Sequence, residues 1–593
     1  MKHNEHDINI DIEDLQPNQP QNQSNHSKSI LNSKSILNLV KQLNDFPTIN
    51  KQSYETLRRA YMRQNKYTPR KTELIEAYKS LKLKNTKLYE LIIKKRVRSL
   101  SGVLVLAVFT NDHPSYIDPI TKKRITQRFS CKENCTFCPT EPGQPKSYLK
   151  EEPGVRRANK NNFDPIAQVD DRLNTYVVLG HTIDKIELIV LGGTWCAYPH
   201  QYQYEFIRDL YYAINTFTCR DRPPYDLETE IHINASNSSN SNSSNIKVIG
   251  LTLETRPDTI NLNEIIRFRL FGCTRIQLGV QHTDDAILAA NKRGHNLQCA
   301  KDAIMLLKQC CYKVDIHIMP NLYTSSIEKD RVMMNQILTD EYIQPDQIKV
   351  YPCSVVPWSE LESLFKQGIY KPYPDDELFE LILEFKRNVH PWIRLNRIIR
   401  DIPDEYIMGG CKSSNMREKL ISQKVCRCIR CREVKAKEVI NPVLKIRTYE
   451  ASNGLEHFIS FETPNESIIY GFLRLRTTKP NTYYTRADLD HLKQIDDTLG
   501  APLSECSFIR ELHVYGQVQS TYTQTNNTNI NQTTTHAQHI GFGRMLIEKA
   551  HEISIREGYT KIAVISGVGV RSYYRKFGYY LHGTYMIKNL TTL

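Results

Sequence analysis

The 593-residue sequence lacks any apolar run long enough to cross a bilayer, and it lacks a secretory signal at its amino terminus. A membrane-spanning helix needs about 20 consecutive apolar residues, so we expect no membrane association. Its 15 cysteines are therefore expected to stay reduced rather than to form a disulfide framework. These absences predict a cytoplasmic protein, with an additional nuclear pool as the open alternative.

Acidic residues are in the minority, because 79 lysines and arginines face 65 aspartates and glutamates, for a net charge of +14. An excess of this sign favours a polyanionic partner, and nucleic acid is the obvious one. Ordinary solubilising charge is the alternative. The basic run Lys94–Arg98 is either a phosphate-binding surface or a solvated face. A chain of this length should contain more than one domain.

Three cysteines, Cys131, Cys135 and Cys138, are spaced Cys-x3-Cys-x2-Cys in one short segment. Iron–sulfur clusters usually have four cysteine ligands, so three thiolates on one loop predict a [4Fe-4S] cluster with one open iron. S-adenosylmethionine requires such an iron, because its amino and carboxylate groups chelate the metal before one electron cleaves the sulfonium bond. The alternatives are a zinc site that lacks a ligand, or three clustered thiols without metal.

Short apolar runs separated by helical segments predict an α/β fold with a parallel sheet that closes into a barrel or partial barrel. The cysteine segment follows the first run, and barrel chemistry lies at the carboxyl ends of the strands. The predicted strands are Val103–Phe109, Ile186–Leu191, Val248–Leu253, Ile276–Val280, Val314–Met319 and Ile348–Tyr351.

Glycines and polar residues cluster where these strands end or begin. Gly192, Gly193 and Thr194 follow the second run, and small residues there would let the methionyl part of S-adenosylmethionine approach the backbone. Glu254 ends the third run and Arg275 borders the fourth. Polar groups are costly if they are buried without partners, so a ligand or a network must satisfy them. A structural salt-bridge network is the alternative.

A second cysteine cluster, Cys426, Cys428 and Cys431, follows the barrel region. Its compact spacing suits three ligands of one zinc ion, which would need a fourth ligand from elsewhere. Cys411 or a distant histidine could supply that ligand. Reduced surface thiols are the alternative reading.

The sequence after about residue 440 predicts strands followed by the glycine motif Gln538-x-x-Gly541-x-Gly543, a helix, and another strand. Glycines of this kind let a backbone approach a pyrophosphate, whose charge is met by the free amides of a helix amino terminus. The order resembles the acetyl-coenzyme A fold of the GNAT acetyltransferases. In that family a tyrosine after the fifth strand can protonate the departing thiolate, which makes Tyr573 and Tyr574 candidates. Aromatic packing in the core is the alternative.

Taken together, the chain resembles the catalytic subunit of Elongator, the radical-SAM tRNA uridine acetyltransferase family, over about residues 95–590. The resemblance rests on nine motifs: Pro145-Lys-Ser-Tyr148, Glu152-Pro153, the segment from His181 to Thr194, Glu254-Thr-Arg-Pro-Asp258, Gly272-Cys-Thr-Arg275, Asn291-Lys-Arg-Gly-His295, Arg400-Asp-Ile-Pro403, the segment from Arg510 to Gly516, and Ile565-Ser-Gly-Val-Gly569.

Composition and pattern predict a disordered polar tail (1–35) and a basic helical region (36–100) that would bind tRNA. The resemblance implies the remaining segments: a partial TIM-like radical-SAM barrel (101–405), a zinc-binding linker (406–440) and a GNAT α/β domain (441–593). It also implies acetyl-coenzyme A contacts. The implied contact residues are Lys185 from the barrel, Glu511, Leu512, His513 and Val514 beside the thioester, Phe542, Gly543 and Arg544 at the pyrophosphate, and Tyr574 near the thiol.

The implied reaction is carboxymethylation of C5 of the wobble uridine, position 34 of tRNA (cm5U34). A 5′-deoxyadenosyl radical abstracts hydrogen from the acetyl methyl, the carbon radical adds to the uracil, and coenzyme A is released. Other Elongator subunits are the implied partners. Two alternatives stay open: a protein lysine acetyltransferase with a structural iron–sulfur cluster, and a non-catalytic RNA-binding scaffold.

Overall fold

The computed structural model describes residues 35–93, 102–129, 131–236, 244–435, 437–478, 490, 493–494, 496–497, 500–516 and 541–590. The basic run Lys94–Arg98, Gln538 of the glycine motif and residues 1–34 of the predicted polar tail lie outside these described residues. The chain divides into two compact units. One contains the described residues 35–93 together with Arg172–Ile183, and the other contains the rest.

The smaller unit is helical. Residues 35–44 form a helix, and the side chain of Asn50 accepts a hydrogen bond from the backbone amide of Ser53 to begin the next one. Apolar side chains and tyrosines from these helices form one core, which includes Leu43, Leu74 and Ile92. The helices that follow residue 44 are α1 (Lys51–Asn65), α2 (Lys71–Ser80) and α3 (Thr86–Ile92).

The larger unit begins with a seven-stranded parallel sheet in the order β1-β4-β5-β6-β7-β8-β9. A short hairpin of β2 (Ser115–Ile117) and β3 (Arg124–Thr126) precedes the cysteine loop. The order confirms the expected partial barrel, since among the described residues β1 and β9 each have only one strand partner. The sheet strands are β1 (Leu104–Phe109), β4 (Lys185–Leu191), β5 (Lys247–Thr255), β6 (Arg275–Gln281), β7 (Lys313–Ile318), β8 (Gln347–Val350) and β9 (Arg394–Ile398).

Continuous apolar runs predicted six of these seven strands within one or two residues. The seventh, β9, reads Arg-Leu-Asn-Arg-Ile, so three of its five residues are polar and it is not a continuous apolar run. Helices follow the strands, as βαβ connections require. They are α4 (Pro153–Lys160), α5 (Pro165–Val178), α6 (His200–Asn215), α7 (Leu227–Ala235), α8 (Leu262–Leu270), α9 (Asp285–Ala290), α10 (Leu297–Gln309), α11 (Ile327–Thr339), α12 (Glu360–Lys366), α13 (Asp375–Asn388), α14 (Ser413–Ser422) and α15 (Ile429–Arg432).

A second seven-stranded sheet, in the order β10-β11-β12-β13-β14-β16-β15, forms the C-terminal domain. It is antiparallel except for the β13–β14 pair, and α16 (Phe542–Arg556) packs against β12 and β13. Its strands are β10 (Val443–Glu450), β11 (Leu455–Glu462), β12 (Ile469–Thr477), β13 (Cys506–Val514), β14 (Lys561–Val564), β15 (Tyr580–His582) and β16 (Tyr585–Asn589), with α17 (Arg571–Arg575) between β14 and β15.

Buried charges join this domain to the amino-terminal ends of the barrel strands. Arg510 of β13 donates hydrogen bonds to Asp346 before β8 (2.6 Å) and to Glu456 of β11 (2.8 Å). Although burial opposes ionisation, the guanidinium groups of Arg510 and Arg474 hold the pKa of Asp346 well below its usual value. We call this set the interdomain charge network; its members, all at most 1% exposed, are Lys308, Asp346, Glu456, Arg474, Arg476 and Arg510.

Glycines make a second contact in the same joint. A Cβ on Gly567 would lie 2.0 Å from the carbonyl oxygen of Ile249, and one on Gly569 would lie 2.7 Å from Cβ of Lys247. Backbone of the C-terminal domain therefore packs directly on β5. No helix in the described part of the chain is both long enough and apolar enough to cross a membrane.

Candidate functional site

The three-cysteine loop follows the β2–β3 hairpin and lies at the carboxyl ends of the barrel strands. The amide of Cys138 donates to the carbonyl of Cys135 (2.9 Å), which makes a tight turn, and the amide of Thr136 donates to the carbonyl of Asn291 (3.2 Å). Cys131 Sγ lies 3.4 Å from Oγ1 of Thr194. The loop is thus tied both to itself and to the ends of neighbouring barrel segments.

Two arginines direct N–H groups at the central thiol. Nη1 of Arg293 lies 3.3 Å from Sγ of Cys135, and Nη1 of Arg256 lies 3.8 Å from it. Arg256 is fixed in turn by Asp258 at 2.9 Å. Hydrogen bonds to the ligating sulfurs and nearby charge set the potential of an iron–sulfur cluster. The donor set therefore fits a cluster of anionic sulfur, which these cations would stabilise.

Within the described residues, only one group of three or more potential ligands has all its ligand atoms within 4.8 Å of one another, and it is Cys426, Cys428 and Cys431. Zinc–sulfur bonds of about 2.3 Å bring tetrahedral sulfur ligands to within roughly 4 Å of each other. The thiols of Cys131, Cys135 and Cys138 are therefore too widely spaced for one zinc ion. Wider spacing is what a larger cluster requires, which disfavours the zinc alternative for this loop.

A glycine turn follows β4 beside the loop. Gly192 and Gly193 have φ values of +131° and +106°, a region that L side chains rarely adopt. A Cβ on Gly192 would also lie 1.9 Å from Oγ1 of Thr110. These two glycines and Glu254 line one crevice, together with Thr110, Val190, Leu191, Trp195 and Tyr198. The structure thus brings Gly192, Gly193, Thr194 and Glu254 to the cysteine loop.

Glu254 is held by groups outside its own strand. The hydroxyl of Tyr148 donates to its Oε2 (2.9 Å), and Nδ1 of His317 lies 3.7 Å from its Oε1. Burial raises the pKa of Glu254, and the nearby Lys349 ammonium and the Tyr148 hydrogen bond oppose that rise. Arg400 stacks over the Tyr148 ring at 4.7 Å, so the carboxylate is held in one orientation.

Arg275 does not join this end of the barrel. It is the first residue of β6, where it donates to Oγ1 of Thr252 (3.0 Å) and Oε1 of Gln347 (3.0 Å) and pairs with Glu187. The strand bounds place Arg275 at the amino-terminal end of β6, the opposite end from the cysteine loop. Lys185 begins β4 at that same end, in register with Lys247, which contacts the Gly569 turn.

In the C-terminal domain, the parallel pairing of β13 with β14 runs only from Cys506–Lys561 to Ile509–Val564. β13 continues to Val514, so Glu511, Leu512, His513 and Val514 extend past the paired segment. The pairing of β13 with β12 is irregular at the same level, between Arg474 and Leu475. β13 and β14 therefore diverge beyond Ile509, and extended ligands of other proteins bind alongside strands in this way.

The glycine motif opens α16. Gly541 has φ +83° and supplies no side-chain cap. The amides of Arg544 and Met545 both donate to its carbonyl oxygen (3.0 and 3.2 Å), so the helix's own hydrogen bonds leave the amides of Phe542 and Gly543 unused at this end. A Cβ on Gly543 would lie 2.5 Å from the hydroxyl of Tyr573. This hydroxyl therefore lies directly beside the start of the helix. Gln538, the first residue of the motif, is outside the described residues.

The remaining predicted residues differ in exposure. Phe542 is 1% exposed and stacks on Phe461 at 4.5 Å between ring centroids, so only its backbone is available at the helix start. Tyr574 is 6% exposed within the same core, and burial raises the pKa of its hydroxyl above the usual tyrosine value. Arg544 is exposed and pairs with Glu548 (2.7 Å). Of the two tyrosines, Tyr573 is the one at the glycine turn.

The second cysteine cluster has a geometry that fits a metal ion, since the sulfur atoms of Cys426, Cys428 and Cys431 lie within 4.8 Å of one another. The pKa of Cys428 is lowered because its sulfur accepts hydrogen bonds from Cys426 and Cys431, and thiolate is the ligand form. Cys411 instead contacts the sulfur of Met416 at 3.5 Å. Among the described residues it does not belong to the group, so a ligand role for Cys411 is not supported.

Sequence reasoning gave no role to Tyr148, Arg256, Arg293 or Arg400, although each falls in a motif that carried the resemblance. Their roles depend on long-range contacts, such as the 158-residue separation of Arg293 from Cys135. Spacing along the chain cannot reveal such pairs. Charged residues inside otherwise apolar strands, such as Asp315, were a signal that was not used.

Comparisons with known proteins agree with this geometry. The Radical SAM superfamily model matches residues 129–331, and the Radical_SAM C-terminal domain model matches 345–426. A tRNA uridine(34) acetyltransferase of Dehalococcoides mccartyi is 37% identical over 508 residues, covering 84% of this chain and 100% of that protein. Elongator complex protein 3 of Homo sapiens is 34% identical over 513 residues, covering 84% and 86%.

A solved structure of the archaeal Methanocaldococcus infernus Elp3 with an N-terminal deletion matches with a TM-score of 0.64 and 35% identity, covering 83% of this chain and 100% of that one. Identity above 30% over most of both sequences confirms the expected resemblance. The chain therefore belongs to the radical SAM acyltransferase family of enzymes that includes tRNA uridine(34) acetyltransferase and Elongator complex protein 3.

Proposed function

We propose that this enzyme carboxymethylates C5 of the wobble uridine of tRNA, using S-adenosylmethionine, a [4Fe-4S] cluster and acetyl-coenzyme A. The proposal depends on one observation: two regions that are suited to binding ligands lie in the same compact unit. One is the cysteine loop with guanidinium donors on Cys135. The other is the diverging β13–β14 pair with the glycine turn of α16, which supports a GNAT assignment for the C-terminal domain.

The barrel and the C-terminal domain each have residues suited to one part of the proposed reaction. Cys131, Cys135 and Cys138 would hold the cluster, and the Gly192–Gly193 turn with Glu254 would hold the amino acid end of S-adenosylmethionine. When bound, these cofactors supply radical chemistry, and acetyl-coenzyme A supplies a two-carbon unit.

The backbone amides at the amino terminus of α16 would bind the pyrophosphate of acetyl-coenzyme A. Burial raises the pKa of Tyr573, so its hydroxyl keeps its proton at neutral pH and can act as a general acid.

Three further features belong to the proposal. Cys426, Cys428 and Cys431 would hold a structural zinc ion, with the fourth ligand supplied from outside this group. The net charge of +14 would favour tRNA binding. The relatives named Elongator complex protein 3 support a place beside other Elongator subunits.

The test is anaerobic reconstitution of the full chain with iron, sulfide, reductant, S-adenosylmethionine, acetyl-coenzyme A and tRNA, followed by mass spectrometry of tRNA nucleosides. We expect 5-carboxymethyluridine and about four irons per chain. Cys135→Ala should lose both product and most of the iron. Cys299→Ala, which alters a half-buried thiol on α10, is the matched control and should keep both.

The lysine acetyltransferase alternative predicts a different result. In that case Cys135→Ala would keep acetyl transfer to a protein substrate, and tRNA would not stimulate consumption of acetyl-coenzyme A. Tyr573→Phe tests the C-terminal domain independently of the cysteine loop. It should slow the consumption of acetyl-coenzyme A without changing the iron content.

A further inference from the structure

A layer of polar side chains crosses the interior of the partial barrel. Strand register pairs Glu254 with Gln277, Gln277 with Asp315, and Asp315 with Gln347. Paired residues on parallel strands point to the same face, so four consecutive strands place polar groups at one level. Gln277, Asp315 and Gln347 are at most 2% exposed. Bulky branched apolar residues usually fill this position in a closed barrel.

These side chains form a chain of hydrogen bonds. Lys349 Nζ donates to Oε1 of Gln277 (2.7 Å), and Nε2 of Gln277 donates to Oδ2 of Asp315 (3.2 Å). Nδ2 of Asn396 donates to the same oxygen (2.9 Å) and also to Gln347. Asp315 Oδ2 therefore accepts two N–H groups, an arrangement that favours the carboxylate form.

The other oxygen of Asp315, Oδ1, is buried and has no hydrogen-bond partner among the described residues. The same is true of Nε2 of His317, two residues farther along the same strand. An unpaired buried acceptor is costly, and native proteins rarely leave one without a ligand or an ordered water. Lys349 also keeps donors to spare, since its ammonium carries three N–H bonds and donates one here. The layer thus offers one acceptor beside a strong donor.

Two side chains of the layer are partly exposed. Lys349 and Asn396 are half-buried, whereas Asp315 is fully buried. They belong to the last two strands of a sheet whose described edge strands, β1 and β9, do not pair with each other. A ligand of Asp315 would therefore enter from the side of Lys349 and Asn396.

We propose that this polar layer binds the uracil ring of the substrate nucleoside, with Asp315 Oδ1 accepting its N3–H and Lys349 donating to an adjacent carbonyl oxygen. This inference rests on the proposed function, which supplies a uridine. A uracil edge has one N–H donor between two carbonyl acceptors, and that pattern complements an acceptor beside a donor. Proteins commonly read single-stranded RNA bases through such edges.

The same pattern predicts discrimination between pyrimidines. Cytosine carries an acceptor at N3, which would face the Asp315 carboxylate oxygen and repel it. Sites built around a specific hydrogen bond reject analogues that leave the buried group unpaired. Burial raises the pKa of Asp315 and the Lys349 ammonium lowers it, so Lys349 also helps to keep the carboxylate ionised.

The test measures binding of three anticodon stem-loop RNAs to the reconstituted full chain, with uridine, cytidine or an abasic site at the wobble position. The abasic RNA reports contacts to the backbone alone. We expect the wild type to prefer uridine over cytidine by about tenfold or more. In Asp315→Asn, the donors of Gln277 and Asn396 hold the amide oxygen, so an N–H group faces the base and the preference should vanish or reverse.

Asp330→Asn is the matched control, because Asp330 is equally buried but has hydrogen-bond partners in Asn321, Ser325 and His282. It should keep the wild-type preference. Lys349→Met is the second variant, since Lys349 is half-buried and its replacement is less disruptive. It should reduce the affinity ratio of the uridine RNA to the abasic RNA, with abasic binding unchanged.

The outcomes separate this inference from the proposed function. A wild type that carboxymethylates uridine while Asp315→Asn and Lys349→Met keep its base preference overturns this inference alone. If the wild type makes no modified uridine and shows no base preference, that result contradicts both the proposed function and this inference. Loss of the preference in both variants, with unchanged iron content and cleavage of S-adenosylmethionine, supports the assignment.

Discussion

The two ends of the barrel use buried charge in opposite ways. At the amino-terminal end, Arg510 donates five hydrogen bonds, to Asp346, Glu456 and the carbonyl of Tyr312. Toward the carboxyl end, Asp315 Oδ1, His317 Nε2 and Arg293 Nε are buried without a hydrogen-bond partner among the described residues. The interdomain charge network also contains such atoms, Lys308 Nζ, Arg474 Nη1 and Arg476 Nε, but both of its carboxylates are paired with arginines. Paired opposite charges hold the domains together there, whereas a buried acceptor without a partner in the barrel interior is a candidate contact for a ligand.

The largest expected effect comes from a substitution that breaks the interdomain charge network. Arg510→Met would leave Asp346 and Glu456 buried without their main partner, and removing one member of a buried ion pair costs about 3–5 kcal/mol. Unfolding monitored by urea titration should shift accordingly. Arg544→Met, which breaks an exposed pair with Glu548, is the matched control and should leave the midpoint unchanged. An equal shift for both variants would contradict the role assigned to the network.

At the cluster end, Gly192→Ala should damage activity as well as stability. The new Cβ would lie 1.9 Å from Oγ1 of Thr110, at φ +131°, and strain of this kind costs on the order of 1–3 kcal/mol. Because the turn borders Thr194 and the cysteine loop, we expect reductive cleavage of S-adenosylmethionine to be lost in protein that still folds. Gly143→Ala, also at positive φ but with no atom within 4 Å of the added Cβ, should keep cleavage.

A smaller effect should appear in the electronic properties of the cluster. Arg293→Met removes a cation whose Nη1 lies 3.3 Å from Cys135 Sγ, so the reduced, more negative cluster is less stabilised. Loss of a hydrogen bond to a charged group, about 1.5 kcal/mol or more, corresponds to a decrease of roughly 60 mV for one electron. Potentiometric titration followed by EPR checks this, with Arg331→Met, in a surface pair with Glu384, as control. An unchanged potential in Arg293→Met would refute the assigned contact.

The smallest effect concerns how the free energy of unfolding depends on pH, through Lys308 of the interdomain charge network. Desolvation and the surplus of nearby arginines lower the pKa of Lys308 to about 7. The unfolded chain then binds a proton that the folded one lacks between about pH 7 and the usual lysine value of about 10.4.

Stability should therefore rise with pH in that window, by at most about 1.4 kcal/mol per pH unit, and be flat below it. In Lys308→Met this contribution to the slope should disappear. Urea titrations at pH 7, 8 and 9 check it, and an identical slope in both proteins would contradict the depressed pKa.

Sequence alone predicted the partial barrel well, because buried parallel strands such as β4 and β7 are nearly continuous apolar runs. It predicted the cysteine loop and the glycine turns for a similar reason, since those features are local. It did not predict β9, because polar and apolar residues are mixed along that strand and do not form a continuous apolar run.

Nor did it assign Arg275 to one end of the barrel, because a residue that adjoins an apolar run can lie at either end of the strand. The partners of Cys135 and Asp315 come from distant segments, and only folding brings them together.

The direct packing of Gly567 on the backbone of β5, beside the interdomain charge network, has a consequence for dissecting this enzyme. Separate expression of the two halves would expose the paired guanidinium and carboxylate groups of that network to water. Neither piece should behave as an independent module, and recovering function by mixing them should require co-folding. The barrel and the C-terminal sheet, which belong to one compact unit, are therefore expected to fold together.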